Sequence, residues 1–143
     1  MRISLQGFGL DLDGTLTDTL ALCVRVFQDV VEARSGRRPT DAAVRAQFGA
    51  TEEGILAELL GARDPQAEEL WHARYRELLA SELGGPFDGV LEWLARAVAR
   101  GLRLAVVTGK GERSARHTLD ALGMAPFIER LAAGSPQGSI KAE

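Results

Sequence analysis

One cysteine, Cys23, stands in 143 residues, so this chain has no intrachain disulfide available to it. It falls in an apolar helical stripe and is expected to pack as a small hydrophobe, which suits a reducing compartment. No stretch approaches the ~20 consecutive apolar residues needed to span a bilayer. The N-terminus has Arg2 but no long apolar run with a cleavage-site pattern, which predicts no signal peptide and a cytoplasmic location. An excess of positive charge is also missing. Lys and Arg number 17 against 20 Asp and Glu, a net charge of −3. That balance gives no general electrostatic reason to bind nucleic acid or an anionic membrane. The two histidines, His72 and His117, lack metal-ligand spacing and are expected to be surface or satisfied side chains. Internal repeats and low-complexity segments are absent too.

What is present is the balance of a folded, soluble chain: 45% apolar and 26% charged residues. The length allows one ordinary domain, or a small core with an insertion. Ile3, Leu5, Phe8, Leu10 and Leu12 mark a buried strand over 3–12. Leu20, Val24, Phe27 and Val31 share one face of a helix over 18–35, capped by Thr17 or Asp18 and ended by Gly36. Thr40 precedes a short helix, and Thr51 opens another that closes at Gly61. Asp64-Pro65 pairs an N-cap with a first-turn proline, and that helix runs to about Leu83 with Trp71, Tyr75, Leu78 and Leu79 as its stripe. Gly84-Gly85-Pro86 breaks the chain. Beyond it come a helix ending at Gly101, a strand over 102–107, a turn over 108–111, a helix over 112–122 and a weak strand over 128–133. The tail from 134 reads as a loop. Alternating helix and strand after residue 85 implies parallel pairing with right-handed crossovers, hence an α/β core.

Asp11-Leu12-Asp13-Gly14-Thr15-Leu16 is the most specific feature. Positions i and i+2 of a strand point the same way, so both carboxylates converge beyond its C-terminal edge, where α/β sheets bind ligands. Carboxylates there are costly unless they line a solvated site or meet a cation. Magnesium takes oxygen ligands, commonly one or two carboxylates plus a substrate phosphate. A carboxylate also attacks phosphorus, and its neighbour can trade protons with the leaving oxygen and with water. Read alone, the segment fits a solvated Asp-Gly turn equally well. Thr108 and the backbone N–H groups at Gly109 and Lys110 suit a phosphate before a helix N-terminus, although Thr108 alone would serve as a helix cap.

Gly-Leu-Asp-Leu-Asp-Gly-Thr-Leu-Thr-Asp-Thr closely resembles the first motif of the haloacid dehalogenase (HAD) superfamily. Val106-Val107-Thr108-Gly109-Lys110 resembles its second. The likeness spans nearly the whole chain and looks closest to the phosphoglycolate-phosphatase-like and β-phosphoglucomutase-like group. It implies a Rossmann-like three-layer parallel core from 1–16 and 85–143, with a helical cap inserted over 17–84. Phe48-Gly49-Ala50-Thr51 resembles a cap segment facing the active site, and Pro86-Phe87-Asp88-Gly89-Val90 resembles the return into the core.

The resemblance implies a Mg²⁺-dependent phosphatase of a small phosphorylated metabolite, phosphoglycolate first. Asp11 would be the nucleophile and metal ligand, and Asp13 the acid/base and second metal residue. Gly14, Thr15 and Gly109 would line the substrate, while Thr108 and Lys141 would steady the phosphoryl oxygens. Lys110 is expected in a surface loop. The family's fourth motif, with its further acidic residues, does not follow Lys141. That predicts a truncated core with an open sheet edge, weak metal binding, and room for a second chain over the edge. Two other outcomes remain open: a sugar phosphomutase, phosphonatase or pyrophosphatase on the same scaffold, and a catalytically impaired fragment or binding partner.

Overall fold

The computed structural model describes residues 5–81 and 84–136, and the backbone of 140–142. Its elements run β1 (Gly7–Leu10), α1 (Leu20–Ser35), α2 (Asp41–Arg45), α3 (Glu52–Leu60), α4 (Pro65–Ala80), α5 (Val90–Ala99), β2 (Arg103–Gly111), α6 (Glu112–Ala121), a 3-10 turn (Ala125–Phe127), β3 (Arg130–Gly134) and β4 (Ile140–Ala142). The sheet order is β1-β2-β3-β4. The first three strands are parallel, and β4 runs antiparallel to β3. This is the expected α/β core with a run of helices between its first two strands.

The helices start where their chemistry says they should. The Thr40 and Thr51 side chains accept the N–H groups of Ala43 and Gly54 at 3.1 and 3.4 Å, and Asp64 accepts those of Gln66 and Ala67 at 3.0 and 3.1 Å. Each satisfies a first-turn donor that has no partner within the helix. Helices α1, α5 and α6 have no side-chain cap; α1 begins after Thr19, whose hydroxyl is used elsewhere.

Three expectations about strands need correction. The described part of the first strand is short and only half-buried, since β1 pairs with β2 alone among the described residues. Ile3 lies outside them. The turn foreseen over 108–111 is instead a continuation of β2, which shifts register between Val107 and Gly111 so that Gly111 pairs with Gly134. The tail returns as β4, with Ile140 opposite Gly134; a three-residue strand in a polar segment is too short to show alternation.

Two apolar clusters form. One joins α1–α4 around Phe27, Leu56, Trp71 and Tyr75. The other joins sheet, α5 and α6 around Leu12, Leu94, Leu104 and Val106. A buried hydrogen bond crosses between them: Tyr75 Oη and Thr118 Oγ1 are 2.7 Å apart, and Thr118 Oγ1 donates to the Ser114 carbonyl at 2.7 Å. Tyr75→Phe removes one partner of that chain and is expected to cost about 1 kcal/mol. The measurement is urea unfolding, with a lower midpoint at an unchanged slope; an unchanged midpoint would show that the hydroxyl adds no stability.

Candidate active site

The parallel register sets Leu10 beside Val106. Asp11 and Thr108 follow within two residues, at the same C-terminal edge of the sheet. Leu12 between the two aspartates is fully buried and anchors the segment. The chain then doubles back: Gly14 N–H donates to the Thr17 carbonyl at 2.8 Å, with Gly14 at φ +79°. A side chain at that position would be strained, and its Cβ would sit 2.8 Å from Leu20 Cδ1. Asp11, Asp13, Thr108, Gly109 and Lys110 all line one cavity of about 320 Å³. The convergence predicted from the spacing is therefore present.

The two carboxylates occupy different environments. Asp11 is exposed, and its Oδ2 accepts from the Thr15 hydroxyl at 3.3 Å. Asp13 is half-buried and surrounded by donors. Its Oδ1 accepts from the Thr19 hydroxyl at 2.5 Å and from the Cys23 thiol at 3.8 Å, and its Oδ2 lies 3.3 Å from Lys110 Nζ. Burial pushes the Cys23 thiol up to about 12, so it stays a neutral donor.

Lys110 is not on a surface loop. Its side chain is 5% exposed and sits beside the Asp13 and Glu52 carboxylates at 3.3 and 3.7 Å. The ammonium also lies over the rings of Tyr75 and Trp71, 4.6 and 5.4 Å from their centroids, in cation–π range. Desolvation disfavours its charged form, but the neighbouring Cys23, Tyr75, Asp13 and Glu52, of which only the carboxylates are charged at neutral pH, outweigh that and hold it well above the usual lysine range. The phenol of Tyr75 is itself pushed up by burial, so the two carboxylates carry the compensating charge at neutral pH.

Glu52 was not anticipated as a site residue. It reaches from the first turn of α3 to accept the Gly111 N–H at 2.8 Å and the Ser114 hydroxyl. In sequence it reads as an ordinary first-turn carboxylate beside Thr51. Thr108 is buried, and its Oγ1 accepts the Lys110 N–H at 3.1 Å, which leaves its proton for the cavity. Gly14 and Thr15 shape the turn beside Asp11; neither lines the cavity. Lys141 pairs by backbone with Ala133 in β4, and its side chain lies outside the described residues. Trp71, expected as helix core, is both core and cavity wall. His72 is buried against the Trp71 ring edge, with its pKa lowered by burial and by Arg113. Arg34 is paired with Asp64, and Arg38 with Asp29 and Glu32.

Oxygen donors suited to Mg²⁺ are present as the exposed Asp11 carboxylate and the Asp13 backbone carbonyl. Among the described residues, no group of three His, Cys, Asp or Glu side chains gathers to hold a metal.

Gly109 is where the 48–50 loop packs against the sheet: a Cβ there would lie 2.9 Å from the Gly49 carbonyl oxygen. Gly109→Ala is therefore expected to push the 48–50 loop away at a cost of about 1–3 kcal/mol. Thermal unfolding would read the loss, and a melting temperature equal to the parent's would contradict the packing.

Residues 10–141 match the haloacid dehalogenase-like hydrolase family. Among curated relatives, an N-acetylmuramic acid 6-phosphate phosphatase of Pseudomonas aeruginosa is 33% identical over 130 residues, covering 87% of this chain and 57% of that protein. A phosphoglycolate phosphatase of Rhodospirillum rubrum is 32% identical, covering 87% and 56%. A tyrosine-protein kinase, PtkA, of Mycobacterium tuberculosis is also 32% identical, covering 90% and 44%. The chain thus spans about half the length of the curated relatives it matches. In fold it resembles CbbY of Rhodobacter sphaeroides solved with phosphate, at TM-score 0.73 and 22% identity, covering 92% of this chain and 64% of that one. A predicted phosphoglycolate phosphatase of Haemophilus somnus gives 0.72 and 18%, covering 96% and 66%. Two motifs converging on one cavity at the sheet edge, with a family match over almost the entire length, place this chain in the haloacid dehalogenase-like hydrolase family.

Proposed function

We propose that this site hydrolyses a phosphomonoester through a phosphorylated Asp11, with Mg²⁺ bound at the Asp11 carboxylate and the Asp13 carbonyl. The observation that carries the reading is the contrast between the two aspartates lining one cavity with Thr108: one exposed and lightly held, the other fixed by donors. Bound Mg²⁺ would supply neutralisation of phosphate charge.

Asp11 attacks phosphorus, and the bond from phosphorus to the leaving alcohol breaks. With the phosphate dianion bound beside it, Asp13 takes up a proton, which it gives to the departing oxygen. It then takes a proton from water as that water attacks the aspartyl-phosphate, breaking the phosphorus–Asp11 bond and releasing phosphate. The Thr19 hydroxyl fixes one oxygen of Asp13, so the group that moves protons is held in place between steps. Thr108 donates its hydroxyl to a phosphoryl oxygen, and Lys141 is assigned the remaining phosphate charge. The 48–50 loop and Trp71 form a cap wall that limits water.

Asp11→Asn is expected to abolish Mg²⁺-dependent turnover of p-nitrophenyl phosphate and to leave no acid-stable phosphoprotein after quenching. Asp13→Asn is expected to lower kcat by about 10²–10⁴-fold. Chelation should stop the parent, and added Mg²⁺ should restore it. A second reading is favoured by β1, which pairs with β2 alone among the described residues: the chain is an impaired partner of a further segment that completes the sheet. Equal, background-level turnover by parent and Asp11→Asn would select it over the first.

A further inference from the structure

The cavity lining has two chemistries: polar groups at Asp11, Thr108 and Gly109, and an apolar wall of Leu20, Phe27, Phe48, Ile55 and Trp71. Among the described lining residues, Lys110 is the one cation, and its ammonium is already held by Asp13 and Glu52. Glu52 is not readily displaced, because the Gly111 N–H and the Ser114 hydroxyl also hold it. Nor does the facing loop offer free backbone donors at its flanks. The N–H groups of Phe48 and Ala50 turn to the carbonyls of Arg45 and Gln47 at 3.1 and 3.4 Å.

A carboxylate brought against this wall would lose its hydration and meet no unpaired cation. A volume of about 320 Å³ also leaves room for more than a phosphate and two carbons.

We infer that the alcohol part of the substrate is uncharged and largely apolar, a body of several carbons, and that Glu52 sets this preference by occupying Lys110. The inference takes its phosphate end from the reading above, and it points away from an acidic leaving group such as glycolate.

Calorimetric titration of the full chain, at saturating Mg²⁺, with two non-hydrolysable probes tests it. Benzylphosphonate is expected to bind about tenfold or more tightly than phosphonoacetate. Glu52→Gln keeps a carbonyl oxygen for the Gly111 N–H while releasing Lys110 from one carboxylate, and is expected to narrow that ratio severalfold. If this variant does not fold by circular dichroism, Phe48→Arg, which puts a new cation on the half-buried loop, is expected to narrow it instead. Phosphonoacetate binding as tightly as benzylphosphonate in the parent would overturn the inference, as would failure of both to bind. Tight benzylphosphonate binding by a chain that turns over no phosphate ester would leave this preference standing and sink the hydrolytic reading alone.

Discussion

A buried ammonium sets the terms for the rest of the structure. Lysine is tolerated out of water only where negative charge and further polar contacts replace its hydration. For Lys110 the charge comes from Asp13, in the loop after β1, and from Glu52, at the start of α3. The faces of Tyr75 and Trp71, both on α4, close the remaining sides. Four segments far apart in sequence must therefore meet at one atom. That meeting fixes the orientation of Asp13 and brings the helical layer onto the end of β2 past Thr108. Losing one carboxylate would leave the other partners with a poorly compensated charge, a larger penalty than a single pair is worth when intact.

The local part of this design was legible in the sequence. Asp11 and Asp13 needed only the period of a strand and the turn at Gly14; Thr40, Thr51 and Asp64 announced their helices because capping is settled within three residues. Lys110 was misplaced because burial of a lysine depends on partners 97 and 58 positions away (Asp13 and Glu52), which no local pattern records. Thr19 was missed for a related reason. The helix start was read at Thr17 or Asp18, and the Thr19 hydroxyl donates to Asp13 rather than capping the helix. The continuation of β2 past Thr108 was hidden by Gly109 and Gly111, which read as a turn. A backbone without side chains is needed there because other chain segments pass within van der Waals range: a Cβ on Gly109 would meet Gly49, and one on Gly111 would meet the Glu52 carboxylate at 2.6 Å.

The two apolar clusters meet across a largely polar seam. Tyr75 bonds Thr118, Glu52 bonds Gly111 and Ser114, and on the outside Arg113 pairs with Glu69. Opening an apolar interface would expose surface at roughly 25 cal/mol per Å². A polar seam exchanges protein hydrogen bonds for water hydrogen bonds, a nearly balanced trade near a solvated cleft. Each cluster can then keep its own core while the layer above the sheet shifts. The cavity lies at this seam, lined by Asp11, Thr108 and Gly109 at the sheet and by Phe27, Ile55 and Trp71 from the helices.

Charge balance explains why such a seam can still hold its register. Asp11, Asp13 and Glu52 against Lys110 leave the described cavity lining negative, which opposes entry of a phosphate dianion unless a divalent cation accompanies it. The Lys110–Glu52 pair adds nothing to that net charge, so it neither attracts nor repels the ligand at long range; its effect is confined to the wall it faces. Attraction of the phosphate and choice of the alcohol are thereby assigned to different residues. On the proposed mechanism, a change at Glu52 alters what can lie against Trp71 and Phe48 without touching the carboxylate of Asp11.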